Sequence, residues 1–181
     1  EVVQVIEERR PDATQPWTMP ADCPVCGSRV PRAEGEAAWR CSGGLFCPAQ
    51  RKEAIRHFAS RRAMDIEGLG ERFIDSLVEL DYVHTPADLY ALTVDDFLDM
   101  KRRADERDGT TPQTVRRGKV ASKWAENLVA AIDATRHCRL ERFLFALGIL
   151  QIGKETAKAL ARAFGDFRRI AGADPLLLLA V

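Results

Sequence analysis

The sequence has no run of about 18 apolar residues, the length a helix needs to cross a bilayer, and no signal-peptide pattern. A membrane-spanning helix is therefore excluded. Nucleotide-binding signatures are missing too: there is no G-x-x-x-x-G-K-[ST] loop, and no G-x-G-x-x-G follows a strand pattern. No carboxylate cluster suggests a Mg²⁺ site, because Asp95, Asp96 and Asp99 are better explained as the polar face and N-terminal charge of a helix. Histidine is scarce, and His57, His84 and His137 stand apart without identifiable partners, which makes them surface or packing residues. Catalysis has no visible carrier here. Charge of one sign is not in excess either: 27 bases balance 27 acids, so overall charge argues neither for nor against nucleic acid. At 181 residues the chain has room for one or two domains with a real core.

What is present is a set of thiols. Residues 23–47, CPVCGSRVPRAEGEAAWRCSGGLFC, hold four cysteines as two close pairs, Cys23/Cys26 and Cys41/Cys47. A C-x-x-C turn puts two sulfurs on one side of a tight knuckle, within reach of a tetrahedral Zn²⁺. The second pair spans Ser42-Gly43-Gly44, residues that let backbone fold beneath a metal. A redox C-x-x-C or a disulfide framework is the alternative, but no βαβ pattern surrounds the pair and nothing suggests secretion. The spacing predicts a structural four-cysteine zinc site. Val30, Ala37 and Trp39 lie in two short stretches able to pair as a hairpin, with Trp39 as the apolar plug. The fifth thiol, Cys138, reads as a small buried hydrophobe and not a nucleophile.

In chain order, 1–10 (EVVQVIEERR) reads as a strand and 11–20, with three prolines, as an extended linker. Helix is expected after Pro48, with Ala54, Ile55, Phe58 and Ala59 on one face, and again at Phe73, Ile74, Leu77 and Leu80. Thr85-Pro86 and Thr93-x-x-Asp96 read as two helix starts. Residues 101–117 show no apolar periodicity and are expected to be an exposed basic loop. Helix resumes near Val120 (Ala121, Trp124, Ala125, Leu128, Val129, Ile132), then at Leu140–Leu147 and Ala157–Phe164, where Gly165 is a natural C-cap. Asp174-Pro175 begins a further helix. Both ends of the sequence look cut, so a piece of a larger protein is expected. A helix–Gly hairpin–helix unit thus recurs near 49–80 and 139–164, with a degenerate copy near 86–134 and a fourth beginning at 174.

Each such unit presents main-chain N–H groups and a helix N-terminus to one spot, which suits a phosphate. Gly68 and Gly70 fit this in the first copy, Gly148 and Gly153 in the third. Lys123 and Lys154 are candidates for an added charge, Thr156 for a hydroxyl. Contacts of this kind hold the nucleic-acid backbone without reading bases, and they are salt-sensitive. Against this stands the plainer role of glycine as a turn residue, and Glu67 and Glu71 beside the first hairpin should repel phosphate. The first copy is expected to pack against the zinc module.

The order of parts resembles the C-terminal half of bacterial NAD⁺-dependent DNA ligases. The resemblance rests on the Val-rich start, TMPADCPVCGS, WRC…FCPAQ, MDIEGLGERFIDSLVE and LERFLFALGILQIGKETAKALARAFG, and it covers essentially all of the chain. It implies a mainly α fold: the end of an OB-fold domain with its linker over 1–21, a four-cysteine zinc finger over 22–48, and a tandem helix-hairpin-helix domain over 49–181. It further implies Cys23, Cys26, Cys41 and Cys47 as zinc ligands, and a monomer in the cytoplasm, at the nucleoid, that grips nicked double-stranded DNA across its minor groove. NAD⁺ and Mg²⁺ would serve a separate adenylation domain, since no K-x-D-G motif occurs here. In the second hairpin Lys123, Ala125, Asn127 and Leu128 match the family, but Ala121 replaces a glycine and Trp124 a serine. Two other functions stay open: a non-enzymatic DNA-repair scaffold in an excinuclease-like assembly, and a protein-interaction module.

Overall fold

The structure is a computed structural model that describes residues 6–11, 14–110, 115–116, 119–120 and 122–179. The chain divides into two compact units, Glu1–Ser42 and Gly43–Val181. Among the described residues no helix is long and apolar enough to cross a membrane.

In the first unit, regular structure is scarce because few apolar side chains are available to pack. The strand expected over 1–10 falls partly outside the described residues, and at Glu7–Arg9 a single 3-10 turn replaces it. A strand needs a neighbour for its N–H and C=O groups, and none exists there among the described residues. Residues 14–20 are exposed and without regular structure, as the prolines predict. The knuckle closes through Cys23 N–H to Ser28 O (2.8 Å) and Gly27 N–H to Cys23 O (2.8 Å), with Gly27 in the left-handed region at φ 70°. Two isolated antiparallel bridges, Asp22 with Arg29 and Arg32 with Trp39, stand where a hairpin was expected. Trp39 is no plug: it is 44% exposed, and the Arg32 guanidinium lies 5.8 Å from its ring centroid. An exposed indole face attracts a cation when no apolar partner is in reach.

The second unit is helical. Helix α1 (Pro48–Ala59) starts with Pro at its first position and buries Ile55, Phe58 and Ala59; α2 (Glu71–Glu79) buries Ile74, Leu77 and Val78. A 3-10 turn at Pro86–Ala91 takes the place of the helix expected after Thr85. Next comes α3 (Val94–Asp108), then a short antiparallel ribbon of β1 (Val115–Arg116) and β2 (Lys119–Val120). Helix order resumes in α4 (Lys123–Ala134), later than expected, followed by α5 (Leu140–Ala146) and α6 (Lys154–Phe164). Gly165 caps α6 at φ 71°, as the sequence predicts. Two short helices complete the described chain: α7 (Phe167–Ala171), which was not expected, and α8 (Pro175–Leu179), which begins at Asp174-Pro175 as expected. One core gathers α1 to α4 with Ala146; a smaller one pairs Leu144 with Ala157 and Leu160.

The basic loop expected over 101–117 is overturned for 101–108, which is the second half of α3. Phe97, Met100 and Ala104 are buried at the i, i+3, i+7 spacing of one helical face. The charges that look like a loop are local pairs: Lys101 with Asp105, and Arg102 with both Asp99 and Glu106. Gly109 ends the helix at φ 63°. Residues 111–114, 117–118 and 121 lie outside the described residues. The start of α3 is a reciprocal capping box: Asp96 N–H donates to Thr93 Oγ1 (3.3 Å), and Thr93 N–H donates to Asp96 Oδ2 (2.8 Å). Thr93→Ala is expected to cost about 1 kcal/mol, a fall of about 2–4 °C in Tm. An unchanged thermal melt would show that this box contributes nothing.

Candidate metal centre and nucleic-acid interface

The sulfurs of Cys23, Cys26, Cys41 and Cys47 all lie within 4.8 Å of one another. Cys26 and Cys41 Sγ are 3.5 Å apart, and no disulfide joins any of the four. A tetrahedral Zn²⁺ with Zn–S bonds of about 2.3 Å needs sulfurs roughly 3.8 Å apart, so the donor set fits. Four thiols in one cluster, without a carboxylate or imidazole among them, make a closed, soft site suited to a structural ion. The chain delivers them by two devices. Gly27 turns the first knuckle, and Gly44, at φ 48°, turns the backbone so that Cys47 N–H reaches Gly44 O (3.1 Å) just before α1. Cys47 is the buried member and the other three are half-buried. Cys138 is exposed, contrary to expectation; desolvation nonetheless holds its thiol above the usual range, with Arg142 pulling the other way, so it carries little thiolate.

The repeated hairpin is real, and its register differs from the expected one. Gly70 and Gly153 are the N-caps of α2 and α6 with nearly the same backbone, φ −82°, ψ 175° and φ −78°, ψ −179°. A Cβ at either would meet nothing within 4 Å. Each carbonyl accepts the N–H of the residue four positions on, Ile74 at 3.1 Å and Ala157 at 2.9 Å. Gly68, at φ 82°, corresponds to Gln151, at φ 67°, and not to Gly148; Gly148, at φ 63°, corresponds to Asp65, at φ 59°. Each hairpin therefore carries two left-handed residues three positions apart, one of them not glycine. Asp65 and Gln151 were missed because composition marks only the glycines. Aligning DIEGLG with GILQIG is the signal that finds them.

The candidate residues divide by surroundings. A Cβ on Gly68 would stand 3.1 Å from Leu128 Cδ2, so this hairpin packs on α4. A Cβ on Gly148 would stand 3.3 Å from the His57 ring. His57 is itself a packing residue: its Nε2 is 2.8 Å from Phe145 O, and the two rings meet edge-on at 5.0 Å. Gly70, Gly153, Lys154 and Thr156 are all exposed. A helix leaves its first N–H groups without intrahelical acceptors, although in α2 Phe73 N–H already donates to Gly70 O (3.1 Å). Lys154 Nζ sits 5.6 Å above the Phe145 ring. Glu71 is 3.1 Å from Arg56, which offsets the repulsion expected at the first hairpin, while Glu67 has no ion pair among the described residues. In the first turn of α6, the hydrogen bond from Lys158 holds Glu155 below its ordinary pKa, so its charge is matched. Lys123, first residue of α4, is exposed and 3.5 Å from Glu126. Trp124, where the resemblance implies a serine, stacks on Phe73 at 5.4 Å and meets Phe97 edge-on at 6.3 Å.

A four-thiol finger followed by helix-hairpin-helix repeats defines a class of nucleic-acid-associated modular proteins. Residues 22–49 match the NAD-dependent DNA ligase C4 zinc finger domain, and residues 142–181 the helix-hairpin-helix motif. The chain is 48% identical to a DNA ligase of Stenotrophomonas maltophilia (strain R551-3), over 94% of this chain and 26% of that protein. It is 52% identical to a DNA ligase of Acidithiobacillus ferrooxidans (strain ATCC 53993 / BNL-5-31), over 98% of this chain and 24% of that protein. For a DNA ligase of Xanthomonas oryzae pv. oryzae (strain MAFF 311018) the figures are 46%, 92% and 25%. This chain is a homologue of the zinc-finger and helix-hairpin-helix region of NAD-dependent DNA ligases, and it spans about a quarter of the length of these relatives.

Proposed function

We propose that this chain is the DNA-holding part of an NAD⁺-dependent DNA ligase. It keeps nicked duplex in place as a monomer at the bacterial nucleoid, while a separate adenylation domain, using NAD⁺ and Mg²⁺, seals the nick. The observation that carries this reading is the pair of matching N-caps at Gly70 and Gly153, both exposed and both with open space where a side chain would stand. A phosphate oxygen can approach such a turn closely and accept from N–H groups at the positive end of a helix dipole. Gly68 and Gly148 shape the two turns, Lys154 and Thr156 add a charge and a hydroxyl at the third hairpin, and Lys123 adds a charge at the second. Residues 1–21 end an OB fold. Cys23, Cys26, Cys41 and Cys47 hold a structural Zn²⁺ over 22–48, and the hairpin domain runs over 49–181.

The test is titration of this chain with nicked and intact duplex of the same sequence at several salt concentrations. Tighter binding to the nicked duplex, falling steeply with salt, is expected. Equal binding to both would favour a general repair scaffold, and salt-insensitive or absent binding a protein-interaction module. Gly153→Asp sharpens the test. Asp is a favoured N-cap residue and nothing crowds it here, so α6 should not weaken. Yet a carboxylate would stand where a phosphate is held. Affinity is expected to fall about tenfold, equivalent to about 1.4 kcal/mol, with zinc content and melting unchanged. Unaltered affinity would count against phosphate capture at that hairpin.

A further inference from the structure

A groove of about 680 Å³ opens beside the third hairpin, lined by Arg61, Arg62, Arg139, Arg142, Lys154 and Lys158. These six bases come from three places: the turn after α1, the start of α5 and the first turns of α6. One acid, Glu141, lines the groove with them, and it is already 3.1 Å from Arg139. Arg61, Arg62 and Lys154 form no ion pair among the described residues.

The groove is held together from beneath. Arg142 donates through Nε to Ala63 O and through Nη2 to Arg61 O (3.2 Å), and it lies 3.5 Å from Asp65. Those bonds fix the turn that carries Arg61 and Arg62 against α5. His57 Nε2, 2.8 Å from Phe145 O, makes a second tie, between α1 itself and α5. Arg142 is thus a positioning residue whose fork is committed to the protein, whereas Arg61 and Arg62 are exposed without an ion pair among the described residues and Lys154 holds its ammonium over the Phe145 ring.

We propose that this groove is a phosphate-binding cradle built jointly by the first and third hairpin units, and that it takes the sugar-phosphate backbone of duplex DNA continuing past Gly153. The inference rests on the DNA-holding reading above. Lys154 connects the two sites, since it opens α6 directly after the Gly153 N-cap and also lines the groove. The lining suits a backbone: its positive charges come from three separate segments, and the aromatic face of Phe145 is already covered by Lys154, which leaves no open ring for a base to stack on. The open groove is larger than a single phosphate needs.

The test is the double variant Arg61→Gln with Arg62→Gln in the whole chain, titrated with a short nicked duplex across a salt series. Both side chains are exposed and bear no ion pair among the described residues, so zinc content and melting should match the unsubstituted protein. Each phosphate contact contributes about 0.9 to the slope of log K against log salt, so loss of two should lower the slope by about 1.8. Affinity at low salt is expected to fall at least tenfold. Arg102→Gln with Arg103→Gln removes the same charge from α3 and should leave most of the slope in place. If the unsubstituted chain binds with steep salt dependence and the Arg61/Arg62 variant keeps its slope, the cradle is overturned while the DNA-holding reading stands. Equal losses from both double variants would reduce the effect to bulk charge and also overturn the cradle. If the unsubstituted chain does not bind duplex at all, both readings fail together.

Discussion

Cys41→Ser is expected to reduce bound zinc from about one ion per chain to nearly none, and to unfold the segment 22–48 while the helical unit stays folded. A serine hydroxyl keeps its proton at neutral pH and cannot replace a thiolate as a zinc ligand. Little else holds the finger before Gly43. Among the described residues of Glu1–Ser42 none is buried, and the two bridges and the knuckle hydrogen bonds are local. In zinc-finger peptides metal binding is worth roughly 10–16 kcal/mol, far above what a few exposed hydrogen bonds supply. The helical unit has its own core from Ile55 to Ala146, so it should keep its far-UV signal and melting transition. Metal analysis together with amide spectra of 22–48 would check this. Full zinc content in the variant, or dispersed finger resonances without metal, would remove the four-thiol site from the account.

Phe97→Ala should cost roughly 3–5 kcal/mol, the range for deleting a large buried side chain, and lower Tm on the order of 10 °C. Phe97 is 0% exposed and is among the largest fully buried side chains. Its ring meets Trp124 edge-on, and Trp124 in turn stacks on Phe73, so one aromatic cluster joins α2, α3 and α4. Removing it leaves a cavity that three helices must collapse to fill. Urea melts would read the loss as a lower midpoint with an unchanged slope. A cost below about 0.5 kcal/mol, typical of surface positions, would mean that α3 is not packed as described.

The thiol spacing was legible because a metal demands particular donors at short range, and local chain geometry decides whether it is met. The N-cap glycines at 70 and 153 were legible for a similar reason. The stretch 101–108 was not: a narrow apolar face of Phe97, Met100 and Ala104 disappears among charges that pair with one another. Trp39 misled because a buried aromatic is the commoner outcome, and this finger has no core to receive one. Hairpin register misled because glycine marks willingness to adopt positive φ, whereas Asp65 and Gln151 adopt it under the pull of their surroundings. Arg61 and Arg62 stand side by side in the sequence, but Arg139 and Arg142, which line the same groove, lie far along the chain, and only folding brings them together.

The Arg142 contacts also set a timetable. The carbonyls of Arg61 and Ala63 find their guanidinium 81 and 79 positions downstream, and the His57 imidazole meets a carbonyl 88 positions away. During synthesis the early turn must therefore wait, incompletely anchored, until a much later stretch leaves the ribosome. Closure of so long a loop is slower than forming any single helix pair. The last latch on the first hairpin is fastened by its distant counterpart, so this turn gains its final anchors only once α5 has been made.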